Sequence, residues 1–289
     1  MLAAEGDNGA STCPAPASAC ANAGSGGAHE REGVLSLAGT SIGEGAVLLG
    51  AGILAGVVGS AGGTASLISY PALLAVGIPA LPANVTNAVA VMACLPGSAL
   101  GSRPELRGQG PQLLRLAPLA VIGGVAGAVL LLVTPAAVFG RVVPFLVALA
   151  AVALLVQPRV GGGQERHPGK RGRLVAYCGL FAAWVYDGYW GAGAGVMTLA
   201  VLMLTVETEL ARANAVKNVL LGVADVACSV VFVLYGPVRW AAVVPLALGF
   251  LAGSRVGPAL ARRIPQNLLR IAVALAGLGF AVHLWLSPS

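Results

Sequence analysis

From Glu44 to Leu286 the chain is a series of apolar runs separated by glycine, proline and isolated charges. The runs are continuous rather than alternating, which excludes half-buried strands and the lipid-facing strands of a barrel. Cut at the turn residues, the pattern predicts ten helical pieces at about 44–59, 63–77, 84–101, 112–133, 139–157, 173–190, 193–206, 210–235, 239–258 and 266–286. Leu113 to Val133 and Leu268 to Leu286 are each near the ~20 residues that carry a helix across ~30 Å of hydrocarbon. Two neighbouring pairs, 44–59 with 63–77 and 173–190 with 193–206, contain pieces short of that length, and each pair meets at a glycine cluster. Broken or hairpin helices are expected at both places.

The halves of this pattern repeat one another. Gly59-Ser60-Ala61-Gly62-Gly63 answers Gly191-Ala192-Gly193-Ala194-Gly195, and Ala83-Asn84-Val85-Thr86-Asn87 answers Ala213 to Asn218. Gly123 and Gly127 answer Gly249 and Gly253, and Arg141 answers Arg270, each before an apolar run. All four correspondences keep their order at an offset of roughly 126 to 132 residues, as a duplicated unit would. The expected fold is an all-α polytopic membrane protein built from two repeats of about five helical elements. The repeats would occupy 44–157 and 173–289, joined by a basic linker at 158–172.

Composition strengthens this reading and charge orients it. With 57% hydrophobic and 10% charged residues among 289, the chain cannot cover a water-facing surface, for which about 25% charged is usual. The net charge of +6 does not point to nucleic acid, because the basic residues stand singly or in small groups between apolar runs. Placing the connections near 102–115, 158–173, 207–212 and 255–270 on the cytoplasmic side gathers 13 of the 17 Lys and Arg there. Arg31, Arg141 and Arg239 are left outside. For those connections to share a side, each glycine-bearing pair must cross the membrane an even number of times. The halves are then inverted and both termini lie outside the cytoplasm.

Residues 1–43 are rich in Ala, Gly, Ser and Pro and are expected to form a disordered extension. Glu5 and Asp7 stand where a signal peptide has its basic region. Cys94, Cys178 and Cys228 fall inside apolar runs, where thiols pack as small hydrophobes.

The glycine cluster Gly59 to Gly63 followed by Tyr70-Pro71-Ala72-Leu73-Leu74, the pair Thr86-Asn87, and the cluster Gly191 to Gly195 occur in a characteristic order. So do Gly236-Pro237-Val238-Arg239-Trp240, Gly249, Gly253, Gly257 and Ala261-Arg262-Arg263-Ile264-Pro265. In these features residues 44–286 resemble the sulfite exporter TauE/SafE family of bacterial membrane proteins. The resemblance implies transport of small anions, sulfite and organosulfonates among them, usually as export across the plasma membrane. The chain departs from the family's Gly-Gly-Gly at Ala61-Gly62-Gly63 and Gly193-Ala194-Gly195, and it has Ser60, Thr64, Asp187, Tyr189 and Trp190 beside the clusters.

An oxyanion inside a membrane needs donors that replace its water. Helices beginning near Gly63 and Gly193 would aim free N–H groups and the positive end of the helix dipole at one point, with Ser60, Gly62, Thr64, Gly191 and Gly195 around it. The same glycines also suit close helix packing, which is the stronger reading for Gly123, Gly127, Gly249 and Gly253. Asn84 with Asn87, and Asn214 with Lys217 and Asn218, share a helical face by spacing, where amides would donate to an anion or cap their own helices. Lys217 is the expected cationic partner of the anion. Asp187 and Asp225, also inside apolar runs, are the expected ion-coupling carboxylates, for H+ or Na+. Tyr189 and Trp190 are candidate gates.

No cofactor, metal or ATP site is expected, as no Gly-x-x-x-x-Gly-Lys-Ser/Thr occurs. Nor does the chain carry the motifs of an intramembrane hydrolase, so it is read as a transporter rather than an enzyme. The expected partners are a small anionic substrate, the lipid bilayer, the coupling ion and, in a homo-oligomer, further copies of the chain. A passive anion channel on the same scaffold is the alternative.

Overall fold

The computed structural model of the chain describes residues 42–160, 170–205 and 209–261, together with residues 271, 275, 278, 279 and 282. Residues 1–41 of the expected extension, 161–169 of the linker and nearly all of the last expected helix lie outside the described residues. Eleven helices follow one another among the described residues, with no strand. They are α1 Ile42–Gly62, α2 Ser66–Ala75, α3 Ala80–Val91, α4 Cys94–Gly101, α5 Arg103–Leu106 and α6 Gly110–Val133. The others are α7 Ala136–Val160, α8 Lys170–Tyr189, α9 Ala194–Thr205, α10 Leu210–Tyr235 and α11 Trp240–Ala261.

The two breaks fall at the glycine clusters, and the local cause is a change of backbone hand. Gly63 takes φ +77°, and its N–H bonds back to Gly59 O at 2.6 Å. Gly191 takes φ +78°, and its N–H reaches Tyr186 O at 3.3 Å. A left-handed residue just past a helix end is the usual terminator, and glycine adopts it without a Cβ penalty. The earlier glycine Gly59 stays helical, so α1 runs to 21 residues and α8 to 20. Shortness is confined to the second member of each pair, α2 with 10 residues and α9 with 12.

The piece read as one helix over 84–101 is two. Pro96 has no N–H to offer Met92 O, and Leu95 N–H takes that carbonyl instead in a tighter turn at 3.1 Å. Its counterpart α10 is unbroken. Five stretches are long and apolar enough to cross a membrane: 43–61, 80–101, 110–133, 210–235 and 240–260. Large apolar side chains such as Leu114, Ile122, Phe145, Leu234 and Val244 are exposed along these helices and α7, as a lipid-facing surface requires.

The most extensive packing joins α1 to α11 and α6 to α8. Both contacts are made across glycine. A Cβ at Gly249 would lie 2.8 Å from Gly52 Cα, and one at Gly123 would lie 2.8 Å from Trp184 Cβ. One at Gly127 would lie 2.7 Å from Tyr189 N, and one at Gly253 3.0 Å from Val57 N. Small residues let helix backbones approach closely where no hydrophobic force drives them together. In each case the glycine-bearing helix of one half lies on the first helix of the other. Two apolar clusters flank the breaks, one around Tyr70, Phe139, Trp190 and Phe250, the other around Leu116, Leu180, Trp184 and Leu220.

Candidate functional site

The two chain breaks touch. A Cβ on Gly63 would stand 2.6 Å from Gly195 Cα, so the halves meet where neither has a side chain. Both preceding helices end here with carbonyls that have no partner in their own helix. Asn214 Nδ2 and Asn218 Nδ2 donate to Ser60 O, at 3.0 and 2.9 Å, near the end of α1. Asn84 Nδ2 donates to Tyr189 O at 3.0 Å, at the end of α8. None of these amides caps its own helix: α3 and α10 begin after Pro79 and Glu209 with no side-chain cap. Instead, asparagines at matched positions hold the broken helix of the opposite half.

Asn87 faces the first break. Its Nδ2 donates to Ser66 Oγ at 3.0 Å, and Ser69 Oγ donates to its Oδ1 at 2.6 Å. Lys217 is fully buried and donates to Asn214 Oδ1 at 2.7 Å, orienting the amide whose Nδ2 holds Ser60 O.

Between the breaks lies a cavity of about 70 Å³. About 10–15 Å³ admits one water, so the space fits a small solute. Ten of the residues expected from the sequence line it: Ser60, Gly63, Asn84, Asn87, Asp187, Trp190, Gly191, Gly195, Asn218 and Asp225.

Six others are placed elsewhere. Gly62 ends α1. Thr64 is buried beside the first break. A Cβ on Gly193 would contact Ala150 at 3.0 Å. Tyr189 packs edge-on against Phe139 with ring centroids 6.1 Å apart, and offers its carbonyl to Asn84. Asn214 and Lys217 stand behind Ser60 rather than in the cavity wall. Helices α2 and α9 begin just beyond Gly63 and Gly193, with Ser66 and Gly195 of their first turns in the cavity wall, and the C-termini of α1 and α8 are held beside them from across the interface.

The wall also contains residues that the sequence reading did not single out, chiefly Ser66, Cys94 and Ser98. A signal for the last two was present. Asn84, Asn87, Ala88, Val91, Cys94 and Ser98 recur at helical spacing along α3 and α4, and Asn218, Leu221, Gly222 and Asp225 do the same along α10. Among the described residues, the wall contains two carboxylates, Asp187 and Asp225, and no Lys, Arg or His. Trp190 is almost fully buried, meets Tyr70 edge-on at 4.8 Å, and has an indole N–H without a partner among the described residues.

Long apolar helices, broken at glycines around a cavity with both polar and apolar lining, define a multi-pass helical membrane protein. The family model described as Sulfite exporter TauE/SafE matches residues 48–284, and the chain belongs to this family. It is 28% identical over 229 residues to the Probable membrane transporter protein YfcA of Escherichia coli (strain K12), covering 78% of this chain and 83% of that one. To the Probable membrane transporter protein ORF9 of Sinorhizobium sp it is 25% identical over 247 residues, 84% of this chain and 93% of that one. A Probable membrane transporter protein of Haemophilus influenzae is 25% identical over 236 residues, 80% and 90% of the two chains. No solved structure gives a significant match. Family and relatives together make the chain a membrane transporter.

Proposed function

We propose that the chain is a secondary transporter that exports small oxyanions, such as sulfite or organosulfonates, across a bacterial plasma membrane. The halves act as inverted-topology repeats with both termini outside the cytoplasm, and the cavity between the breaks is the substrate site. The observation that carries this reading is the crossing of the asparagines. Asn84 holds the broken helix of the second half, and Asn214 and Asn218 hold that of the first, so the site exists only where the two halves meet. A site built at a repeat interface is what alternating access requires, since rocking one half against the other opens it to either side in turn.

In this reading Asn87, Asn218, Ser60, Ser66 and Trp190 contact the solute, while Lys217 acts through Asn214. Asp187 and Asp225 take the coupling ion, H+ or Na+. No chemical conversion of the solute is involved.

The test is uptake and efflux of labelled sulfite and sulfate in proteoliposomes, with and without pH and Na+ gradients, for wild type, Asn87→Ala and Asn218→Ala. Saturable, gradient-sensitive flux that falls at least tenfold in both variants supports the reading. Flux that rises linearly with concentration and ignores both gradients makes the protein a passive anion channel. The absence of oxyanion flux overturns the proposed substrate class.

A further inference from the structure

The cavity wall offers one donor and one acceptor that the described residues leave unanswered. The indole N–H of Trp190 and Oδ2 of Asp187 are buried, at 3% and 9% residue exposure, and neither has a hydrogen-bond partner among the described residues. The two residues stand three apart at the end of α8, and both line the cavity. Buried polar groups are nearly always paired, so an unpaired donor beside an unpaired acceptor describes the ligand that completes them. A fully ionised oxyanion has only acceptors and would satisfy Trp190 alone. A simple cation would satisfy Asp187 alone. An oxyanion that arrives with a proton satisfies both.

Charge leads to the same requirement. The only other carboxylate in the wall among the described residues is Asp225, from α10. Other titratable groups near Asp187 are the thiols of Cys94 on α4 and Cys228 on α10, and the hydroxyl of Tyr186, which donates to Ala192 O at 3.0 Å. Helix α9 has no titratable side chain within Ala194–Thr205, and the only one on α6, Arg115, lies over the Tyr177 ring. The ammonium of Lys217 is engaged by Asn214. Among the described residues, nothing in the wall neutralises a carboxylate against an incoming anion. Two like charges ~4 Å apart in such surroundings weaken binding on the order of a thousandfold.

Building on the transporter reading above, we propose that the cavity takes its oxyanion together with one proton, shared between Asp187 Oδ2 and an anion oxygen, while the Trp190 N–H donates to a second oxygen. The proton enters with the anion or ahead of it on Asp187, and leaves with it on the other side. Each cycle then moves one anion and one H+ in the same direction.

The test uses full-length protein in proteoliposomes with a trapped pH dye, an imposed anion gradient and no imposed pH gradient. Methanesulfonate is one probe, because it stays ionised and any proton that moves must be carried by the protein; labelled sulfite is the other. In wild type, methanesulfonate flux is expected to shift the internal pH with one proton per anion. Asp187→Asn keeps a donor toward the anion and is expected to move it without a pH change. Trp190→Phe is expected to raise KM about tenfold with the proton ratio intact. Wild-type flux of methanesulfonate without a pH change overturns the shared proton and leaves oxyanion transport standing, as does an Asp187→Asn protein that still moves one proton per anion. Failure of both probes to move in wild type overturns both proposals. If Asp187→Asn does not fold, the wild-type proton ratio alone decides the question.

Discussion

The contact between the two breaks makes a quantitative prediction, because three glycines separate its two physical causes. Gly63 and Gly77 share a left-handed backbone, φ +77° and +83°, but a Cβ on Gly77 would meet nothing within 4 Å. Gly195 has the opposite combination: its Cβ would press on Gly63, lying 2.7 Å from Gly63 O, with no left-handed backbone to strain. In Gly63→Ala both apply. The new methyl sits 2.6 Å from Gly195 Cα and 2.8 Å from Gly195 C, against 3.4 Å for ordinary contact, and the neighbour is backbone that has no rotamer to change.

The left-handed conformation costs an alanine about 1–2 kcal/mol, and overpacking a well-filled contact about 1–3 kcal/mol. Gly77→Ala should therefore lose ~1–2 kcal/mol, Gly195→Ala ~1–3 kcal/mol, and Gly63→Ala the sum, ~2–5 kcal/mol. The double variant Gly63→Ala/Gly195→Ala should lose less than the two singles added, since the backbones need to separate only once. The assay is thermal unfolding of the purified variants in one detergent, scored by the order of their midpoints. A Gly77→Ala protein as unstable as Gly63→Ala, or a Gly195→Ala protein indistinguishable from wild type, would refute the close approach of the halves.

Other predictions concern the amides and the buried lysine. Asn218→Ala should cost about 0.5–1.5 kcal/mol and Asn214→Ala about 3 kcal/mol, because it also strips the buried Lys217 ammonium of its acceptor, and the double variant should cost more than their sum, because only then is Ser60 O left without an amide. Simple additivity in a double-mutant cycle would show that the two amides do not share that carbonyl. Asn84→Ala removes the one side-chain bond to Tyr189 O among the described residues and should cost about 1–3 kcal/mol in unfolding experiments; no loss would count against its capping role. Lys217→Met should lower stability and maximal flux with KM for the oxyanion within about twofold of wild type, because the ammonium meets Asn214 behind the cavity wall. A tenfold rise in KM at unchanged maximal flux would place Lys217 against the solute.

The sequence by itself determined most elements of this membrane protein and the two breaks at the glycine clusters. Apolar length is a local property: a run near twenty residues must become a helix, because lipid offers its backbone no other partner. The freedom of glycine is equally local, so the two clusters mark where α1 and α8 break, although the pattern alone stops the first piece at residue 59 and α1 continues to Gly62. The order of the two glycine clusters and the two asparagine pairs was legible for the same reason.

Tertiary structure decided what these residues do to one another. Helical spacing placed Asn214, Lys217 and Asn218 on one face, but it could not say that Asn214 and Asn218 would reach Ser60 across the interface, or that Lys217 would be spent on Asn214. Nor could it show that Pro96 would split one predicted helix while its counterpart stayed whole. A side chain's partner is set by the rotation of its helix and by which helix lies opposite, and both are fixed by contacts more than a hundred residues apart in sequence, such as Asn84 with Tyr189. The same distance in sequence hid the character of the cavity, whose described wall joins two carboxylates to an unpaired indole N–H with no basic side chain among them.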